Sequence, residues 1–213
     1  MPSQSTITLY GSGRSRSFRV LWALEEVGVD YEYVDIDFAD KSEDGPFGKL
    51  YLGLNSQGKV PTLVDGELVL TESAAIVTYL ASKAEHLQLK PSDGTALRAK
   101  YDEICFFILC ELEQPLWTKG KHKFALPKEY RTPQILTTTV TFEFEKAQSA
   151  LLQLLQGCEY AVGDQFTMAD ILLAQTIGWA SQFDFNVCDK LIDYREKMIL
   201  RPAYTRATQK LGT

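Results

Sequence analysis

The chain has 213 residues, 45% of them apolar, which is enough to bury one large core or two smaller ones. Its 22 basic and 28 acidic side chains give a formal charge of −6, which argues against a non-specific hold on nucleic acid and favours a small molecule or a protein as partner. The four cysteines all lie in the second half, without the close pairing of a zinc ribbon or a CxxC motif, and there are only two histidines, so reduced thiols and no metal are expected.

The chain opens on the polar stretch MPSQSTITLYG and contains no apolar run long enough to span a bilayer, from which a soluble, cytoplasmic protein without a membrane partner is expected. Ile7 and Leu9 alternate with Thr6, Thr8 and Tyr10 and predict a short strand. Val20, Leu21, Leu24 and Val27 then follow helical spacing up to Gly28, and YEYVDID (31–37) predicts a second strand, closing a βαβ unit. After a stretch with no clear pattern, VPTLVDGELVL places Asp65-Gly66 between two apolar runs, a hairpin signal, and TESAAIVTYLASK resumes a helical period. Residues 1–83 therefore read βαβ followed by ββα.

EHLQLKPSDGT (85–95), polar and broken by Pro91 and Gly94, looks like a linker, whose bounds are set at residues 84–94. Residues 95–213 read as all-helical. Leu97, Tyr101, Ile104, Cys105, Ile108 and Leu112 mark one face of a long helix, and Val140, Phe144, Ala147, Leu151 and Leu154 mark a second, antiparallel one across TKGKHKFALPKE. Thr167 stands three residues before Asp170 ahead of an apolar run, a capping-box variant with Asp in place of Glu. Pro202 stands where a last helix can begin.

Three features carry chemistry. GSGRSRSF, between the first strand and the first helix, lacks the spacing of a phosphate loop and the third glycine of a dinucleotide fingerprint. Its Ser15 can cap the helix, or donate an O–H hydrogen bond that stabilises a bound thiolate. Val60-Pro61 stands directly before the strand TLVDG, where a cis proline would turn the Val60 N–H and C=O outward toward an extended peptide ligand. Glu72-Ser73 sits at the mouth of the following helix, where a hydroxyl and exposed N–H groups suit a carboxylate and Glu72 suits an amino group; plain N-terminal capping explains the same pair.

At this spacing SRSFRVLWALEE, NSQGKVPTLVDG, LTESAAIVTYLA and GDQFTMADILLA, in this order, resemble four segments of the cytosolic glutathione transferases, of bacterial type with a serine-type active site. The resemblance covers essentially the whole chain. It implies an α/β plus all-α protein: a thioredoxin-like N-terminal domain that holds glutathione, then an all-helical C-terminal domain that supplies most of the electrophile pocket, usually in a homodimer. It implies an enzyme of detoxification type, with glutathione as cosubstrate, that conjugates the glutathione thiolate to small, largely apolar electrophiles. A glutathione-dependent disulfide reductase or peroxidase, or a noncatalytic interaction protein, would share the fold.

By the same resemblance Ser15 falls at the active-site position of an S-x-x-x-R pattern, although Arg14 and Arg16 flank it where other serine classes carry different residues, and Ser12, Ser17 and Tyr10 compete for the role. Lys59 and Val60 match positions that contact the glycyl and cysteinyl parts of glutathione, Pro61 matches a cis proline, and Glu72 and Ser73 match the pair that grips the γ-glutamyl end. Phe106, Trp117, His122 and Phe124 are the expected walls of the electrophile pocket, because an irregular aromatic and basic segment meets the cleft there.

Overall fold

The computed structural model describes residues 6–13, 15–43, 45–155 and 157–211. Chain contacts gather the chain into two compact units, residues 1–88 with 200–213, and residues 89–199.

In the first unit the alternating Ile7 and Leu9 bury one face of strand β1 (Ile7–Gly11), and the helical run that follows forms α1 (Ser17–Val27). Strand β2 (Tyr31–Asp35) returns parallel to β1. The stretch without a sequence pattern holds a six-residue helix, α2 (Lys49–Leu54). Strand β3 (Thr62–Asp65) runs antiparallel to β1, and β4 (Leu68–Leu70) antiparallel to β3, in the sheet order β2-β1-β3-β4. Gly66 turns the hairpin at a φ of 61°, which costs glycine nothing and any side chain about 1 kcal/mol or more. Helix α3 (Ser73–Lys83) completes a thioredoxin-like βαβ-ββα unit, as expected from sequence.

Helix α1 packs on α3, and both present apolar faces: Val20, Leu21 and Leu24 from the first, Ile76, Val77 and Leu80 from the second, over Leu9 and Leu63 of the sheet. Each such fully buried side chain is worth about 1.5–3 kcal/mol. Gly11 permits the tight start of α1, since a Cβ there would lie 2.7 Å from the Tyr33 ring and 2.9 Å from Ser17 Cβ.

The last helix, α9, belongs to this unit although the sequence boundaries group it with residues 95–213. Running over Pro202–Lys210 with its proline in the first turn, it packs on α1. Arg201 makes a two-pronged ion pair with Glu26 at 2.6 and 2.8 Å, and Arg206 pairs with Glu25 at 2.8 Å. Tyr204 sets its ring edge-on to Trp22 and Phe18, at 4.9 and 5.3 Å between centroids. No sequence period announces such a pairing across more than 170 residues.

The second unit has no strand among its described residues. Helix α4 (Ala96–Phe107) begins at Thr95, whose hydroxyl accepts the Arg98 N–H. It runs through a π turn (Ile108–Leu112) into α5 (Gln114–Gly120) and a second π turn (Lys121–Ala125). Helicity thus continues well into TKGKHKFALPKE, which by sequence pattern alone is wholly a joint. Pro115 does not break the run because it falls in the first turn of α5, where no intrahelical N–H bond is needed. Helix α6 (Thr139–Leu154) returns and buries Val140, Phe144, Ala147 and Leu151, with Leu154 left partly exposed.

Helix α7 (Met168–Gln182) is almost wholly buried, and Thr167 and Asp170 form the expected capping box. Asp170 accepts bonds from the Thr167 N–H and hydroxyl, the Ala161 N–H and the Tyr194 hydroxyl of α8 (Asp189–Ile199). Burial raises the Asp170 carboxyl above its usual range against these donors. No helix among the described residues is long and apolar enough to cross a membrane.

Candidate active site

The strand register brings the three sequence features to one edge of the sheet. Tyr10 faces Thr62 and Leu63 faces Leu70, so the carboxyl ends of β1 and β4 and the amino end of β3 lie side by side. From that edge emerge the Ser12–Ser17 loop, the Val60-Pro61 turn and the Glu72-Ser73 corner.

Ser15 is exposed, just before α1. Its Oγ accepts the Ser17 N–H at 3.2 Å, and its own N–H donates to the Ser12 carbonyl at 3.2 Å. Ser15 thus supports the start of the helix through one lone pair of Oγ, from one residue before the cap position at Arg16. Ser17 Oγ lies 3.0 Å from Ser15 Oγ and accepts the Ser12 N–H at 3.2 Å. Ser17 itself is wholly buried, and Ser12 is half-buried. Tyr10 is half-buried in the strand, its ring centroid 5.8 Å from that of Tyr51. Arg16 is half-buried at the cap position, whereas Arg14 lies outside the described residues.

The Val60-Pro61 bond is cis. Neither the N–H nor the C=O of Val60 has a hydrogen-bond partner among the described residues. The preceding carbonyl, of Lys59, is held instead by two buried side chains: it accepts the Tyr51 hydroxyl at 2.5 Å and Asn55 Nδ2 at 2.8 Å. Both of these also reach Thr62 Oγ1, at 2.9 and 3.2 Å, which ties the turn to the first residue of β3. Burial raises the Tyr51 hydroxyl pKa, so it stays a donor. The exposed Lys59 ammonium donates to Gln57 Oε1 at 2.9 Å.

Glu72, extended and exposed, precedes α3, and Ser73, buried, opens it. The Ser73 hydroxyl accepts Arg19 Nη1 at 3.3 Å, a bond that joins α1 to α3. Arg19 is 0% exposed. Tyr51, Asn55 and Arg19 are the residues sequence reasoning missed; Arg19 closes the S-x-x-x-R pattern, and that was its only signal.

In the second unit the structure divides the expected electrophile residues. Trp117 and Phe124 come together around Gly120, where a Cβ would lie 3.6 and 3.4 Å from their rings, with Phe183 at 3.5 Å. Phe124 meets Phe183 edge-on at 6.2 Å. His122 Nδ1 accepts the Thr132 N–H at 2.9 Å and so straps the following loop. Phe106, 66% exposed, stands apart in an open groove of about 550 Å³ with Phe107, Cys110 and Leu154. Among the described residues no cluster of His, Cys, Asp and Glu could hold a metal ion.

Residues 5–82 match the family model "Glutathione S-transferase, N-terminal domain" and residues 115–202 match "Glutathione S-transferase, C-terminal domain". The chain is 35% identical over 179 residues to a zeta class glutathione S-transferase of Euphorbia esula, covering 83% of this chain and 76% of that one. It is 29% identical over 192 residues to the glutathione S-transferase GstA of Escherichia coli O157:H7, covering 89% and 90%. Among solved structures, a sphingomonad glutathione S-transferase complexed with glutathione superposes with a TM-score of 0.83 at 27% identity, over 96% of this chain and 98% of that one.

Proposed function

The chain belongs to the glutathione S-transferase family, and from that premise we propose that its first domain, residues 1–83, holds glutathione with Lys59, Val60, Pro61, Glu72 and Ser73 and stabilises the thiolate with Ser15. It is a glutathione transferase, with glutathione as its cosubstrate. The observation that carries the site is the single sheet edge at which Ser15, Val60 and the Glu72-Ser73 corner emerge.

Each part of the edge suits one part of the tripeptide. The unpaired N–H and C=O of Val60 suit the backbone of an extended peptide, and the Tyr51 and Asn55 bonds keep that turn in place. Exposed Glu72 suits an ammonium group, and Ser73 with the first N–H groups of α3 suits a carboxylate. Lys59 offers a charge for the glycyl carboxylate.

Glutathione supplies the sulfur nucleophile, and the protein's task is to keep that sulfur ionised near neutral pH. Lowering a thiol pKa of about 8.5 by two units takes about 2.7 kcal/mol. One hydrogen bond to the charged group contributes about 1.5–3 kcal/mol, and the amino end of α1 adds to it. Ser15 Oγ receives the Ser17 N–H, and when the Ser17 hydroxyl also donates to it, both lone pairs are filled and the Ser15 proton points to the ligand.

The helical domain supplies the pocket for a small, largely apolar electrophile, with Trp117 and Phe124, which come together at Gly120, as its walls and His122 strapping the adjoining loop, while Phe106 lines a separate groove. Conjugation is favoured over disulfide or peroxide reduction because a serine stands where a reductase would place a cysteine; all four cysteines lie beyond residue 104. The protein acts as a cytoplasmic homodimer, for which exposed Phe47 and Phe142 provide apolar surface. Calorimetry with millimolar glutathione, followed by a panel of aryl halides, hydroperoxides and disulfides, tests this reading. Binding with turnover confined to carbon electrophiles supports it. Absence of binding overturns it.

A further inference from the structure

A wholly buried guanidinium is a costly thing to place in the core of a small α/β unit, and packing alone gives no reason for it. Arg19 sits on α1 between Phe18 and Val20, both buried, and Ser73 Oγ is one of its partners. Ser73 is the first residue of α3, where backbone N–H groups have no intrahelical acceptor. A serine hydroxyl carries one proton and two lone pairs. With a lone pair committed to Arg19 Nη1, the proton is directed away from the guanidinium.

We propose that Arg19 is a positioning residue: it orients the Ser73 hydroxyl so that its O–H, and not a lone pair, meets the γ-glutamyl α-carboxylate of glutathione. The inference rests on the assignment of Glu72 and Ser73 to that end of the ligand. Without Arg19 the hydroxyl is free to turn to other acceptors, and its donation to the anion is no longer set in advance. An arginine that only clamps α1 to α3 would have no reason to discriminate among ligands.

The test is calorimetric titration with two ligands, glutathione and 4-aminobutyryl-cysteinyl-glycine, which differs from it only in lacking the γ-glutamyl carboxylate. The proteins are wild type, Arg19→Lys, Ser73→Ala and the double variant. Wild type is expected to prefer glutathione by about tenfold or more, the effect of a hydrogen bond to a charged group. Arg19→Lys and Ser73→Ala should each weaken glutathione by about five- to tenfold while leaving the analogue within about twofold. The double variant should be no weaker than Ser73→Ala, because the two residues act as one device.

If Arg19→Lys does not fold, Arg19→Met, which replaces the buried ion with an apolar chain of similar length, carries the same expectations. Equal weakening of both ligands makes Arg19 a structural clamp and overturns the proposal, as does a full further loss on adding the Arg19 substitution to Ser73→Ala. Selective loss in Ser73→Ala with none in Arg19→Lys overturns the proposal and leaves the Ser73 assignment standing. A wild type that binds both ligands alike, or an inert Ser73→Ala, overturns that assignment and the proposal together.

Discussion

Ser17 touches Ser15 twice, donating its backbone N–H to Ser15 Oγ at 3.2 Å and setting its own Oγ 3.0 Å away, although Ser17 is wholly buried and Ser15 is exposed. The buried residue cannot itself meet a ligand. When its hydroxyl donates to Ser15 Oγ, it sets which way the exposed hydroxyl points.

Ser17→Ala keeps the backbone donor and removes the hydroxyl, so it should act through Ser15 and more weakly than loss of Ser15 itself. The bound glutathione thiol is expected to titrate about half a unit higher, against about one to two units for Ser15→Ala. Losing the acceptor of the Ser12 N–H should also cost about 1–2 kcal/mol of stability. The pH profile of kcat for the two variants checks the order of the shifts. An unmoved profile for Ser17→Ala would remove the buried serine from the device.

Asn55→Ala frees the Lys59 carbonyl from one of its two buried donors and leaves Thr62 Oγ1 with fewer partners. It is expected to raise KM for glutathione by about three- to tenfold with kcat little changed, because in the proposed site the turn at Val60 makes only binding contacts. Tyr51→Phe, which removes the other donor, should do the same. Steady-state kinetics with glutathione varied measures it, and a collapse of kcat at unchanged KM would contradict the assignment.

Cys105 lies buried on α4, and burial pushes its thiol up to about 12. An unfolded cysteine titrates near about 8.5. Between those values the folded chain keeps a proton that the unfolded chain has lost, so the stability contribution is complete below about pH 8.5 and declines by at most about 1.4 kcal/mol per pH unit as pH rises toward 12. Denaturant unfolding at pH 8 and pH 10 should therefore show a shallower alkaline decline for Cys105→Ala than for wild type. Thiol reagents at pH 8 should label exposed Cys158 in the folded protein and Cys105 only on unfolding.

Most of the first unit is legible in sequence because its elements declare themselves locally. Ile7 and Leu9 alternate, Asp65-Gly66 sits between apolar runs, and α1 and α3 keep a helical period. Helix α2 escaped because six residues flanked by glycine-containing turns show less than two full turns of period. The docking of α9 escaped because its apolar stripe is short and its hold on α1 is made by Arg201, Arg206 and Tyr204, which look in sequence like ordinary surface residues.

The site divides along the same line. The residues proposed to face the ligand, such as Val60 and Ser73, were marked by their places beside strand and helix starts. The residues that hold them were not. Asn55 and Arg19 have the composition of solvent-facing side chains, and only the partner, 54 residues distant for Arg19, shows that they are buried supports.

The central claim is that the Ser15 hydroxyl stabilises the glutathione thiolate, and the most direct measurement is ultraviolet titration of the enzyme-bound thiolate in Ser15→Ala, alongside Ser12→Ala and Tyr10→Phe. The account predicts that in Ser15→Ala the thiolate forms about one to two pH units higher while the Kd for glutathione at about pH 6, where the bound ligand is mostly the thiol, changes less than about threefold, since the α1 terminus and the Val60 and Ser73 contacts remain. An unchanged titration in Ser15→Ala, with an upward shift in Ser12→Ala or Tyr10→Phe, would contradict it.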